Sequence, residues 1–233
     1  KRGIHNIDFL KMFKRSLAAS LAVFIFGMQS SYAANINAGN GYNTTVTTDG
    51  STTNITGGLL NGDTGFHHFT DFELNNGETA NLYFTDGANK YVNMVDKQVS
   101  INGIFNSYKS GAIGGNVIFV SPLGMIVGSS GVINVGSLQT ITPVLGTYNG
   151  LLNLGKNISW SDISSLKSDS SDSSTEINGK IFASGGIDIS DGKSVKIGNN
   201  ADIVSGFNQN GFAKTTVAGF NMSDIVNSDG IVT

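Results

Sequence analysis

Few side chains in this sequence combine types and spacing suited to chemistry. His67-His68 is followed by Asp71 and Glu73, a set that could offer nitrogen and oxygen ligands to a metal ion. A structural or catalytic zinc needs three or four ligands at defined spacing. Here Phe66, Phe69 and Phe72 interleave with those residues, which reads as a strand with an aromatic inner face. Glu176, Asp188, Asp191 and Asp202 raise a second possibility, because glycosidic bonds are cleaved by paired carboxylates at a set separation. These four lie scattered beside turn residues, where Asp is common for backbone reasons. "GMIVGSSG" (124–131) is rich in glycine but lacks the Lys-Ser/Thr ending of a phosphate loop. The Ser/Asp run at 159–175 lacks the ligand order of a calcium loop. The sequence therefore names no catalytic residue, no metal ligand and no cofactor.

The elements that would position any site are β in character. The chain has 233 residues, 31 of them glycine, and only 13% are charged. That glycine content argues against a helical bundle, and the low charge argues against a solvated disordered tail. The first 33 residues have a layout of their own. Lys11, Lys14 and Arg15 precede the uncharged run "LAASLAVFIFGM", and Ser31-Tyr32-Ala33 ends it with small residues at the −3 and −1 positions of a cleavage site. This is the layout of a secretory signal peptide with an extended basic n-region, cleaved after Ala33. The apolar run is shorter than the about 20 residues that a transmembrane helix needs. Residues 1–33 carry a net +4 of the chain's −3, so the remainder carries −7. Both arginines fall in the leader. An acidic chain without arginine is poorly suited to phosphate backbones, so no nucleic-acid partner is expected. There is no cysteine.

After residue 33, alternation of period two recurs and no sustained helical period is found. Phe72 and Leu74, Leu82 and Phe84, Ile187 and Ile189, and Val195 and Ile197 alternate with their neighbours. Gly, Asn and Asp clusters separate these runs. The sequence also echoes itself. "INGIFNS" (101–107) resembles "INGKIFAS" (177–184), and "MIVGSSGVI" (125–133) resembles "VKIGNNADI" (195–203). Self-similarity with several short strands per copy and no intervening helix is the pattern of a β-solenoid. On that reading Val117, Phe119, Met125, Val127, Ile133 and Val135 point into a narrow apolar interior, with Pro122 and the glycines at corners. The expected division is a signal peptide at 1–33, an N-terminal cap at 36–85, first coils at 86–158, a Ser/Asp-rich surface loop at 159–175 and further coils at 176–233.

Three ordered blocks carry a family resemblance: "FHHFTDFELNNGETANLYF", "YVNMVDKQVSINGIFNSYKSG" and "GGNVIFVSPLGMIVGSSGVINVGSLQTIT". They resemble the N-terminal secretion domain of two-partner-secretion, filamentous-haemagglutinin-like exoproteins, and most of all the leukotoxin-type filamentous adhesins. The likeness spans about Ala34 to Thr142. It implies an all-β fold: a right-handed parallel β-helix with a β-rich N-terminal cap, preceded by the signal-peptide helix. It implies a monomeric, non-enzymatic export domain at the head of a large bacterial exoprotein. The protein would be secreted or held at the cell surface after passing the periplasm, threaded by an outer-membrane β-barrel transporter with periplasmic domains. The family's Asn-Pro-Asn-Gly turn stands here as Ser121-Pro122-Leu123-Gly124. Those four residues, and Asn134 in "GVINVG", are the expected transporter-recognition or structural turn positions. Two alternatives are a module that itself binds a host-cell surface and a carbohydrate-active β-helix.

Overall fold

The computed structural model describes residues 34–206 and, as backbone only, three later strands. Residues 1–33, with the leader and the cleavage site at Ala33, lie outside the described residues. β1 (Asn35–Ala38), β2 (Thr44–Asp49), β3 (Thr52–Gly57), β4 (Leu59–Asn61) and β5 (Thr64–Leu74) open the fold. β6 (Thr79–Tyr83), β7 (Lys90–Val95), β8 (Val99–Ile101), β9 (Ile104–Lys109) and β10 (Ala112–Ile113) follow. Then come β11 (Asn116–Val120), β12 (Met125–Val127), β13 (Val132–Val135) and β14 (Ser137–Ile141). Helices α1 (Leu145–Leu154) and α2 (Trp160–Ser164) interrupt the strands. β15 (Thr175–Ile177), β16 (Lys180–Ala183), β17 (Ile187–Ile189), β18 (Val195–Ile197) and β19 (Asp202–Ser205) resume them, and β20 (Thr215–Val217), β21 (Phe220–Asn221) and β22 (Ile231–Val232) are the backbone-only strands.

The protein is mostly β, and its strands visit three faces in rotation. The first face runs β5-β7-β11-β14-β17-β20, and the second runs β5-β8-β12-β15-β18; long β5 belongs to both. The third face runs β2-β3-β6-β9-β13-β16-β19-β22. Pairing along each face is parallel from β3 onward, apart from the local hairpins of β10 and β21. Successive strands on a face form levels. Lys90 lies opposite Asn116, Asn116 opposite Ser137, and Leu138 opposite Ile187. The sequence echo is a register fact: Ile101, Val127 and Ile177 share one column, so the two copies of the motif lie two levels apart.

The N-terminal level is covered differently. β1 and β4 pair antiparallel with β5, and β2 pairs antiparallel with β3 across a turn at Gly50. Such pairings cover strand edges that would otherwise be open templates for association. Parallel pairing begins with β3 and β6, inside the stretch expected to be cap, because Thr52–Ile55 already matches Thr79–Leu82.

The interior between the faces is aliphatic and aromatic. All six residues expected to point inward are buried in one cluster: Val117, Phe119, Met125, Val127, Ile133 and Val135. Phe69, Phe72, Phe105 and Phe119 form its aromatic centre. Close packing there needs glycine at one corner. A Cβ on Gly131 would stand 2.2 Å from the Ile101 carbonyl oxygen, and one on Gly103 would stand 2.3 Å from that of Glu78. Because rigid backbone is the obstacle, Gly131→Ala should cost about 1–3 kcal/mol by overpacking. Gly150, in α1 with nothing near it, is the contrast: Gly150→Ala should stabilise by up to about 1 kcal/mol. Thermal melts of the two variants should move in opposite directions.

Two sequence expectations are corrected. Phe66 does not share the inner face with Phe69 and Phe72. It lies buried in a second cluster with Val92, Met94, Ile118, Val120 and Ile141, on the outside of the first face. Strand alternation puts His67 inside instead, and a register shift of β5 against β1 near Thr70 restores Phe72 and Leu74 to the interior. The second correction concerns the loop expected at 159–175. The interruption begins earlier, after Thr142, and holds both helices. Tyr148 and Leu151 of α1, with Ile158 and Ile163, cover the outer cluster. The first face is thus buried on both sides at β7 and β11, which explains the continuous apolar run "VIFV". Among the described residues no helix is long and apolar enough to cross a membrane.

Candidate functional site

The turn Ser121-Pro122-Leu123-Gly124 leads from the first face to the second. Ser, Pro and Gly occupy the positions that a type I turn favours, and Gly124 N–H donates to the Ser121 carbonyl at 3.4 Å. Ser121 Oγ donates to the Lys97 carbonyl (2.8 Å) and accepts from Leu123 N–H (3.1 Å). The Pro122 carbonyl accepts from Ser170 Oγ at 2.7 Å, and the Leu123 carbonyl accepts from Ser174 N–H and from Gln98 Nε2. Gly124 has φ +84°, and a Cβ there would stand 2.5 Å from the Ser174 carbonyl oxygen. Ser121, Pro122 and Gly124 are buried, and only Leu123 is exposed, at 38%. The base of the Ser/Asp run is therefore not free surface. Ser170 and Ser173 are buried, and Asp191 gathers Ser173 Oγ, Thr175 Oγ1 and the Lys193 and Ser194 N–H groups.

Asn134 lies on the third face, so the structure does not bring it together with the turn. Its Nδ2 donates to Asn106 Oδ1 (2.9 Å), Asn106 to Asn81 (3.1 Å), and Asn81 to Asn54 (3.2 Å). This column of four half-buried amides runs through β3, β6, β9 and β13, each rung donating toward the N-terminal level. Stacked asparagines of this kind fix strand register, because a one-residue slip breaks every rung at once. Past Asn134 the column turns apolar, with Phe182 and then Val204 opposite it. Those residues and exposed Ile113 line a shallow groove with Asn134.

The two histidines part company. His67 is fully buried and stacked on Tyr91, with ring centroids 4.6 Å apart. Its Nδ1 lies 3.1 Å from Thr44 Oγ1, while Nε2 finds no partner. Burial lowers its pKa to about 3, so the ring is neutral. His68 faces the other way, with Nε2 2.8 Å from Asp96 Oδ1. The Tyr148 hydroxyl also donates to Asp96 Oδ1, at 2.9 Å, and burial, then the Asp96 charge, pushes its pKa up. Tyr42 touches the His68 ring edge-on and sends its hydroxyl to the Leu151 and Leu152 carbonyls. This network ties the N-terminal segment to α1. Asp71 is held by Lys97 at 2.5 Å. Among the described residues no group of three or more His, Asp or Glu side chains could hold a metal ion. Of the scattered acids, Asp191 is spent on the loop and Glu176 accepts from Asn178 Nδ2.

Sequence reading missed the helices and what they carry. α1, "LGTYNGLLNL", contains two glycines and only a short apolar stripe (Leu145, Tyr148, Leu151, Leu152), so its stability comes from packing of Tyr148 and Leu151. α2 did leave a signal: Ser159-Trp160-Ser161-Asp162 is a capping box, with Ser159 N–H donating to Asp162 Oδ2 at 2.8 Å. The helix sets Trp160 against Lys90, whose ammonium lies 5.0 Å from the ring centroid and 2.8 Å from Asp63. That bond holds the exposed Asp63 carboxyl well below the usual carboxylate range. Compared with family models, with curated proteins and with solved structures, the chain finds no match.

Proposed function

We propose that this chain is a non-enzymatic export domain of a larger bacterial exoprotein, an adhesin or leukotoxin, folded as a right-handed parallel β-helix. The observation that carries the reading is the stacking itself. Each level pairs only with its neighbours, and the N-terminal level is covered by antiparallel strands. A chain built this way can form from one end, one level at a time, as it emerges from a transporter. The right hand follows from the general handedness of parallel crossovers. The leader ending at Ala33 delivers the chain to the periplasm, and an outer-membrane β-barrel with periplasmic domains threads it outward. Of the five residues singled out in the sequence, Ser121, Pro122 and Gly124 serve the corner. Contact with the transporter then falls to Leu123 and Asn134, the two with side chains toward solvent.

The test is export of the chain fused to a reporter, with and without a co-expressed outer-membrane barrel of the two-partner-secretion type. The expected result is reporter in the medium only when the barrel is present. Leu123→Asp and Asn134→Ile should reduce export several-fold while melting within a few degrees of the parent. Reporter held in the periplasm despite the barrel overturns the reading. Normal export of both folded variants removes those two residues from it.

A further inference from the structure

We propose that the groove beside Trp160, floored by Ile118, Gln139 and Asp188, binds a neutral, hydroxyl-rich saccharide. The groove has a volume of about 370 Å³ and also touches Lys90 and Asn116. Its floor is one outward column of the first face. Val92 lies opposite Ile118, Ile118 opposite Gln139, and Gln139 opposite Asp188. The column changes character where the helices stop covering it, from apolar Val92 and Ile118 to an amide and a carboxylate. Neighbouring parallel strands lie about 4.8 Å apart, so the amide and carboxylate stand side by side on adjacent strands. Among the described residues neither side chain has a hydrogen-bond partner. Both are half-buried, and burial pushes the Asp188 carboxyl above its ordinary value. These are polar groups already partly stripped of water and, among the described residues, not used by the fold.

Trp160 supplies the wall. Its half-buried ring is held by the capped α2 and by Lys90. A fixed indole next to an amide and a carboxylate suits a sugar ring, whose C–H face packs on the aromatic while its hydroxyls donate and accept at the floor. The charges narrow the class. Among the described residues the unpaired charge in the groove is the Asp188 carboxylate, whereas Lys90 is already held by Asp63, so an acidic glycan would be repelled. A cationic ligand would compete with the ammonium already on the Trp160 ring. With Asp188 the sole carboxylate among the described residues that line the groove, paired acid-base cleavage has no second partner there, and the site binds without hydrolysing. This inference does not rest on the export reading.

Trp160 is the only tryptophan in the chain, so its fluorescence reports on the groove directly. The purified chain is titrated with neutral oligosaccharides of glucose, galactose, mannose and N-acetylglucosamine, and with sulfated oligosaccharides. A saturable spectral change with at least one neutral series is expected, and none with the sulfated ones. Asp188→Asn and Gln139→Ala should each weaken that binding at least ten-fold with melting temperature unchanged. Absence of a saturable change with every neutral series overturns the proposal, as does response to sulfated sugars alone. Binding that survives both substitutions does so too.

Discussion

Phe72→Ala lowers the stability of the fold by about 3–5 kcal/mol, the range for truncating a fully buried ring. Phe72 is 1% exposed and stands at the centre of the aromatic cluster. Its ring meets Phe69 at 5.2 Å, Phe119 at 5.2 Å and Phe105 at 5.8 Å, each near edge-to-face. Such pairs contribute about 0.5–1.5 kcal/mol beyond the area they bury. The four rings come from β5, β9 and β11, so one cavity loosens strands on more than one face. Since domains of ordinary stability hold about 5–15 kcal/mol, this single change removes a large share. Denaturant titration should show the midpoint shift with a little-changed slope, and Phe72→Leu should recover more than half the loss. Tyr83→Ala is the comparison: Tyr83 is 40% exposed and stacks on Tyr108 at 5.3 Å. That surface pair should cost less than about 1 kcal/mol. A Phe72→Ala loss no larger than the Tyr83→Ala loss contradicts the buried cluster.

Acidification from pH 7 to pH 5 costs about 2 kcal/mol, and the loss belongs to His67. Burial lowers its folded pKa to about 3 from the ordinary histidine value of about 6.5. Between those values the unfolded chain binds a proton that the folded chain refuses. Stability is therefore complete above pH 6.5 and falls as pH drops toward 3, by about 1.4 kcal/mol per unit. The groups packed around the ring are Tyr91, Phe69 and Thr44, none of them a carboxylate or a cationic side chain. Asp188, whose carboxyl is raised by burial, titrates in the opposite sense at the acid end. Asp63 and Asp71, both lowered chiefly by their lysine partners, lose their contribution below about pH 4. Comparison of the parent with a His67 variant between about pH 7.5 and 5 isolates this histidine. In His67→Gln the slope over that interval should flatten; an unchanged slope assigns the acid sensitivity elsewhere.

Much of the architecture was legible because side-chain period and backbone period coincide in this protein. Val117 and Phe119, or Ile187 and Ile189, alternate because one side of each strand meets the interior. The echo between 101–107 and 177–184 was legible because equivalent positions two levels apart meet the same neighbours. Legibility failed where both sides of a strand are covered. Phe66 and Val92 look like core residues and are, but of a second cluster that exists only because α1 and α2 fold over it. The apolar stripe of α1 spans only two turns and does not announce that, since its helix is held by distant partners such as Asp96 and Tyr42. The turn at Ser121–Gly124 was found by residue type, yet its burial beneath Ser170–Ser174 depends on contacts about 50 residues away. Asn134 was singled out from its motif. Its place as the last rung of an amide column needs the register of four strands.

The spacing between levels bears on how far such a chain can be lengthened. Lys90 to Asn116 is one step, and Leu138 to Ile187, which spans both helices, is nearly twice as long. Closing a loop of doubled length costs only about 0.6 kcal/mol more. A decoration the size of the helical insert is therefore almost free in closure entropy, and register resumes beyond it on all three faces. The entropic load per level stays constant, so total cost grows in proportion to contour length rather than faster. Distance from the first strand then places no limit on where the next one can join.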